Sequence, residues 1–189
     1  MTFANMTWLN PPPQSRIDGD SLTVVTGDRS DFWRKTHYGF IRNTGHFLHH
    51  PVSGDFSAEV TITAQYEALY DQAGLMLRID DTRWVKAGIE MTDGQPFFST
   101  VITNDRSDWS IVALPFEAHR IRLRLTRHAD AIRVQVQRQD GGWLMTRLGY
   151  LEGGAAQMGV MACSPERAGF FASFHDYSCG PAIDRALHD

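Results

Sequence analysis

Lys86 and Glu90 lie in the run RWVKAGIEM, where Val85, Ala87, Ile89 and Met91 alternate with Trp84, Lys86, Gly88 and Glu90. A strand's two-residue period would bury the first set and gather the second on one face. A cation, a carboxylate and an indole then share that face with a glycine that leaves room between them. Four residues of extended chain span about 13 Å, too far for Lys86 and Glu90 to pair directly. Each charge needs a partner on another strand, in solvent or in a ligand. One reading is a cross-strand ion network with Asp71, Asp108 and Arg122. The other is a sugar-like polar ring stacked on Trp33, Trp84 or Trp109 and fixed by Gln72, Lys86 and Glu90.

The segment GDRSDFWRKTHYGF bears on the same choice. Trp33, His37 and Tyr38 supply flat apolar faces with polar edges, and Asp31 and Arg34 can hydrogen-bond, the mixture that a polar ring requires. On the competing reading, Trp33 and Tyr38 plug one end of the core. The candidate ligand-binding set is Trp33, Tyr38, Asp71, Gln72, Trp84, Lys86, Glu90, Asp108 and Trp109.

Catalytic chemistry finds weaker footing. Glycan cleavage needs two carboxyl groups about 5 to 9.5 Å apart, and the Glu-x-Asp-x-Glu alternation of the sandwich glucanases is absent. Glu90 meeting Asp71 or Glu59 across strands keeps a glycoside hydrolase as an alternative. Ser107-Asp108-Trp109 lacks a nucleophile-turn signature and an identifiable histidine, so it makes no triad. Cys163 sits in an apolar run, where a buried inert thiol is expected, and Cys163 and Cys179 are expected to be free. His46, His49 and His50 invite a metal reading, but adjacent His49 and His50 point to opposite sides of a strand and no zinc signature completes them. No phosphate-cradling glycine loop occurs. No catalytic residue, metal site or cofactor is therefore assigned.

The elements that position these residues are strands. Gln72–Ile79, Arg83–Met91 and Pro96–Thr103 form an antiparallel meander, and Phe56–Ala64, Arg120–Thr126 and Ile132–Arg138 each alternate apolar with polar residues. Ser21–Thr26, Trp143–Leu148, Gln157–Cys163 and Gly169–Tyr177 read as further strands, with turns at His128–Asp130 and Asp140–Gly142. The Trp8–Pro13 run is expected as an edge or cover segment, His46–His50 as a polar hairpin segment, and 181–189 as a short helix. With 189 residues, 16 glycines, 8 prolines and 42% hydrophobic content, the chain is expected to form one all-β domain over 1–189, with a cover segment at 1–20 and a tail at 178–189. Its net charge of -4 offers no general attraction to nucleic acid or anionic membrane. Met1–Asn10 lacks a basic start followed by a long apolar run, so a cytoplasmic location is expected.

From Trp8 nearly to Tyr177, the segments GDRSDFWRKTHYGF, YDQAGLMLR, WVKAGIEM, STVITNDRSDW and GVMACSPERAGFFASF, together with the Asp140-Gly141 turn, resemble a family of uncharacterised proteins related to the yeast regulator of enolase. The chain departs from that pattern at Gly27-Asp28 and at Met91, where an aromatic residue is common. The resemblance implies a concanavalin A-like jelly-roll sandwich of the lectin and glucanase superfamily, with a curved concave sheet. The expected function is non-catalytic binding of a carbohydrate-like or other polar small ligand on that sheet. An intracellular protein-interaction or regulatory module, with a protein partner, is the competing class.

Overall fold

The computed structural model describes residues 2–116 and 120–187. Sixteen strands follow one another: β1 (Thr7–Leu9), β2 (Gln14–Asp18), β3 (Ser21–Val25), β4 (Phe32–Arg34), β5 (Ile41–Asn43), β6 (His46–Val52), β7 (Phe56–Ala64) and β8 (Gln72–Arg78), then β9 (Arg83–Thr92), β10 (Gln95–Asn104), β11 (Arg106–Val112), β12 (Arg120–His128), β13 (Ala131–Gln137), β14 (Trp143–Tyr150), β15 (Ala156–Cys163) and β16 (Phe171–Gly180). They build two seven-stranded antiparallel sheets. The first has the order β1-β6-β15-β8-β9-β10-β11 and the second β14-β13-β12-β7-β16-β3-β2, while β4 and β5 form a separate hairpin.

Strand alternation explains how the sheets pack. Leu75 and Leu77 of β8, Val85, Ala87 and Ile89 of β9, and Met158 and Val160 of β15 point from the first sheet into one buried core. Val60 and Ile62 of β7, Leu123 and Leu125 of β12, and Val134 and Val136 of β13 meet them from the second. This is the two-sheet sandwich expected from the apolar periodicity. On the far side of the second sheet, Glu59 accepts from Arg122 and Arg124 at 2.9 and 2.6 Å.

The other face of the first sheet is buried too. Phe32, Trp33, Phe47, Met76, Trp84, Val101, Met161 and Cys163 make a second apolar cluster there, closed by the β4–β5 hairpin lying across the sheet. Ala73 and Gly74 of β8 face Ile89 and Gly88 of β9 in register. A Cβ on Gly74 would fall 1.9 Å from the Ala87 carbonyl oxygen, and one on Gly88 would fall 2.0 Å from that of Ala73. These paired glycines let the two backbones approach closely in mid-sheet.

Two expectations change, and a third gains detail. His46–Val52 is a full strand between β1 and β15, because its rings find partners: His46 Nδ1 contacts the Asn10 carbonyl at 2.7 Å, His46 Nε2 accepts from the Gly27 amide at 2.9 Å, and His50 Nε2 lies 2.8 Å from the Tyr177 hydroxyl. The cover segment splits, giving β1 to the edge of the first sheet and β2 to that of the second. The expected C-terminal helix is absent from 181–187; Arg133 donates to the Asp184 and Ala186 carbonyls at 2.6 and 2.5 Å, tying the tail to β13. Residues 188–189 of that expectation lie outside the described residues.

Candidate functional site

The floor of the site follows from the register of the first sheet. Gln72 is paired with Glu90, Met76 with Lys86, Lys86 with Val101, and Val101 with Trp109. Even spacing along each strand therefore lays Gln72, Glu90, Lys86 and Trp109 on the outward side, with Gly88 and Ser99 between them. Beside Gly88 lies a hollow of about 10 Å³ whose lining includes Gln72, Lys86, Glu90, Ser99 and Met161.

The roof is the segment that read as a loop. Its β4–β5 turn is tight, with Lys35, His37 and Gly39 at positive φ and the Lys35 amide donating to the Phe40 carbonyl at 2.7 Å. Trp33 Nε1 donates to the Thr36 carbonyl at 2.9 Å, so the indole is held under its own hairpin. Clamps fix the hairpin to the sheet: the Arg34 amide donates to Ser107 Oγ at 2.9 Å, Lys35 Nζ meets Asp105 at 2.7 Å, and Asn10 Nδ2 donates to the Asn43 carbonyl at 2.9 Å. At the tip, the Tyr38 and Tyr70 hydroxyls lie 3.0 Å apart. Tyr70 holds φ of 64° to reach that position, a conformation costly for a bulky residue outside a constrained site.

Between floor and roof lies a pocket of about 110 Å³ whose lining includes Asp31, Trp33, Tyr38, Phe40, Arg42, Tyr70, Gln72, Lys86, Glu90, Val101, Trp109 and Glu166. It holds several waters' worth of space. It shares Trp33, Tyr38 and Trp109 with a wider groove of about 620 Å³ that also touches His37 and Asp108.

Charges in this pocket are strongly placed. Lys86 Nζ donates to Asp31 Oδ1 at 3.3 Å, and Asp31 Oδ1 also accepts from the Phe32 amide at 2.8 Å. Burial, the largest single influence, would lower the Lys86 pKa, but Asp31, Cys163 and Glu90 together outweigh it and the net shift is upward. The ammonium therefore keeps its charge while burying its stem, and it sits 5.8 Å from the Trp84 ring. An ammonium carries three donors, and among the described residues Asp31 takes one of them. Glu90 Oε2 accepts from Trp109 Nε1 at 3.1 Å. Burial pushes the Glu90 pKa up, against the opposing pull of Lys86, Ser99 and Trp109. Gln72 Nε2 donates to the Tyr70 carbonyl at 3.2 Å. Cys163, beneath the same cluster, has its thiol pushed up to about 12 by burial, which leaves it a poor nucleophile.

Of the residues singled out in the sequence, Trp33, Tyr38, Gln72, Lys86, Glu90 and Trp109 come together around one pocket, and Asp108 stands at the adjoining groove. Trp84 is 1% exposed and packs at a tilt on Phe32 at 6.1 Å, so it is buried beside the floor and offers no stacking face. Trp109, at 38% exposed, does. Asp71 is sealed below the pocket, with Ser164 Oγ donating to it at 2.6 Å and Arg167 Nη2 at 2.6 Å. Burial would raise the Asp71 pKa, yet these donors and the Ala68 and Glu67 amides bring it down.

The expected ion network does not form among the residues named for it. Asp71 pairs with Arg167, Asp108 with Arg147 at 2.8 Å, and Arg122 with Glu59 on the opposite sheet. Lys86 pairs instead with Asp31. The same placements remove Asp71 and Glu59 as carboxyl partners for Glu90. Asp31, Phe40, Arg42 and Tyr70 join the site without having been included in the candidate set; the mixed aromatic and charged composition of 27–42 was the signal for the first three, and Tyr70 comes from the turn before β8. His49 stacks on Phe47 at 4.9 Å, and His50 turns to the other face toward Tyr177, as adjacent strand residues must.

The family described as "Protein of unknown function (DUF1349)" matches residues 8–182. The chain is 41% identical to Regulation of enolase protein 1 of Saccharomyces cerevisiae over 97% of its own length and 93% of that protein. A crystal structure of a functionally unknown protein from Saccharomyces cerevisiae superposes with a TM-score of 0.93 at 39% identity, covering 97% of this chain and all of that one. The carbohydrate-binding module CBM66 from Bacillus subtilis matches at a TM-score of 0.59 and 15% identity over 93% of this chain and 96% of the module. A GH43 protein from Bacillus licheniformis matches at 0.64 and 14% over 84% of this chain and 32% of its own. These last two share the concanavalin A-like sandwich fold.

Proposed function

The chain belongs to the DUF1349 family, and we propose that it acts as a non-catalytic binder of a carbohydrate-like ligand, held between the β4–β5 hairpin and the outward face of the first sheet. One observation carries the reading. The buried Lys86 ammonium, with donors left over from Asp31, lines the same pocket as the Gln72 amide and the Glu90 carboxyl, and the indoles of Trp33 and Trp109 line it too. Neighbouring hydroxyls on a ring both accept and donate, so one accepts from Lys86 while the next donates to Glu90 or the Gln72 oxygen. The apolar ring faces then lie on the aromatic walls. The small pocket suits one ring, and the groove beyond Trp33 and Trp109 suits its continuation. The sandwich fold shared with a carbohydrate-binding module supports this reading by analogy, and the free thiols of Cys163 and Cys179 fit the cytoplasmic location proposed with it.

A second reading has its own observation. β14 is an edge strand of the second sheet, and Leu148 and Tyr150 stand 48% and 57% exposed on one side of it. An apolar edge of this kind pairs readily with another chain, and the name of the yeast relative speaks of regulation. Titration of the full chain with a panel of mono- and oligosaccharides, followed by tryptophan fluorescence, separates the two. A saturable response weakened about tenfold or more by Trp109→Ala and by Gln72→Ala, with unchanged thermal unfolding, is expected. A silent panel together with stoichiometric capture of a protein through β14 would replace the binding reading with the interaction module.

A further inference from the structure

We propose that the ligand is an acidic saccharide, a sugar ring bearing a carboxylate or a phosphate ester, and that Arg42 reads its charge. The inference rests on the saccharide-binding reading above. Arg42 lines the pocket from β5, and its guanidinium carbon lies 4.5 Å over the Phe40 ring. Phe40 in turn stacks on Tyr38 at 5.3 Å with an interplanar angle of 13°. The guanidinium therefore sits over an aromatic stack, which restrains its position without consuming its N–H donors.

Its surroundings leave those donors unmatched. Neighbouring charges are taken: Arg34 and Lys35 by Asp105, Lys86 by Asp31, and Arg167 by Asp71 and Glu67. Among the described residues Arg42 makes neither an ion pair nor a side-chain hydrogen bond. A pre-oriented fork of N–H donors is matched by a planar or tetrahedral oxyanion. Glu166, also on the pocket wall, opposes an anion, but it is exposed, so water and salt screen it. The inner carboxyl groups of Asp31 and Glu90 repel a ligand anion from the floor. The acidic substituent therefore lies toward Arg42 and the ring hydroxyls toward Lys86, Gln72 and Glu90.

The test is titration of the full chain with matched probes: glucose, glucuronate and glucose 6-phosphate, then galactose and galacturonate, at low and high salt. Acidic probes are expected to bind roughly tenfold more tightly than their neutral counterparts at low salt. Arg42→Gln should abolish that difference, costing the acidic probes roughly tenfold more affinity than the neutral ones, whereas Glu166→Gln should strengthen acidic binding. The ranking of carboxylate against phosphate identifies which oxyanion the site prefers. Equal affinity for neutral and acidic probes, or equal loss of both in Arg42→Gln, would overturn the inference while leaving the saccharide site standing. Absence of binding by every probe would overturn the site itself.

Discussion

Glu90 is a carboxyl group held where water is scarce, and its raised pKa ties protonation to stability. Folding favours the protonated form, so the contribution of Glu90 is fully present below the ordinary value of 4.5 and is lost as pH rises through the raised one. Glu90→Gln lacks this titration. The stability of the native chain relative to Glu90→Gln should therefore fall with rising pH across that window; a difference that stays flat or grows in denaturant titrations would contradict the assignment. Asp71 behaves oppositely. Its lowered pKa makes its contribution present above 3.8 and lost as pH falls further. At neutral pH, Asp71→Asn leaves the Arg167 charge without its buried partner, for a loss of about 3 kcal/mol, measurable by chemical denaturation. The sequence placed Lys86 and Glu90 on one face because alternation is a local property of the chain. It did not identify Asp31 as the partner of Lys86, or rank Trp109 above Trp84, because those facts depend on which distant segment covers which part of the face.

The β4–β5 hairpin turns a sheet face into a pocket. Its composition was visible in the sequence, but short strands bounded by Lys35, His37 and Gly39 at positive φ give no apolar alternation to read. Exposed ion pairs contribute little to global stability, so Asp105→Ala should cost less than about 1 kcal/mol overall. It should nevertheless speed amide hydrogen exchange through residues 34–41, where the Arg34 and Lys35 clamps are lost. Unchanged exchange would show that Ser107 and Asn10 hold the hairpin alone. Beneath it, Gly88→Ala forces a Cβ into the Ala73 carbonyl, a backbone collision that no rotamer relieves. A loss of roughly 2 kcal/mol or more is expected in denaturant unfolding, with β8 and β9 the first strands to lose exchange protection.

At the scale of the whole molecule, the sandwich was legible because β7, β9, β12 and β13 each display an apolar face at period two. Sheet order was not, since β15 sits between β6 and β8 and β16 between β7 and β3 through contacts far apart in sequence. That order matters to function: it brings β8, β9, β10 and β11 side by side under the hairpin and leaves β14 at the opposite sheet's edge. The five tryptophans sample these regions separately. Trp33 and Trp109 line the pocket, Trp84 is buried against Phe32 beside it, Trp8 packs against the main core, and Trp143 lies under Arg124 at 3.8 Å on the second sheet. The most direct measurement is therefore a two-dimensional nitrogen–proton spectrum of the five indole N–H groups during titration with the acidic and neutral saccharides. The Trp109 resonance is expected to move saturably, since its N–H already donates to Glu90, with Trp33 following and Trp8 and Trp143 still. Movement confined to Trp143, or no movement at millimolar saccharide, would contradict a saccharide site beneath the hairpin.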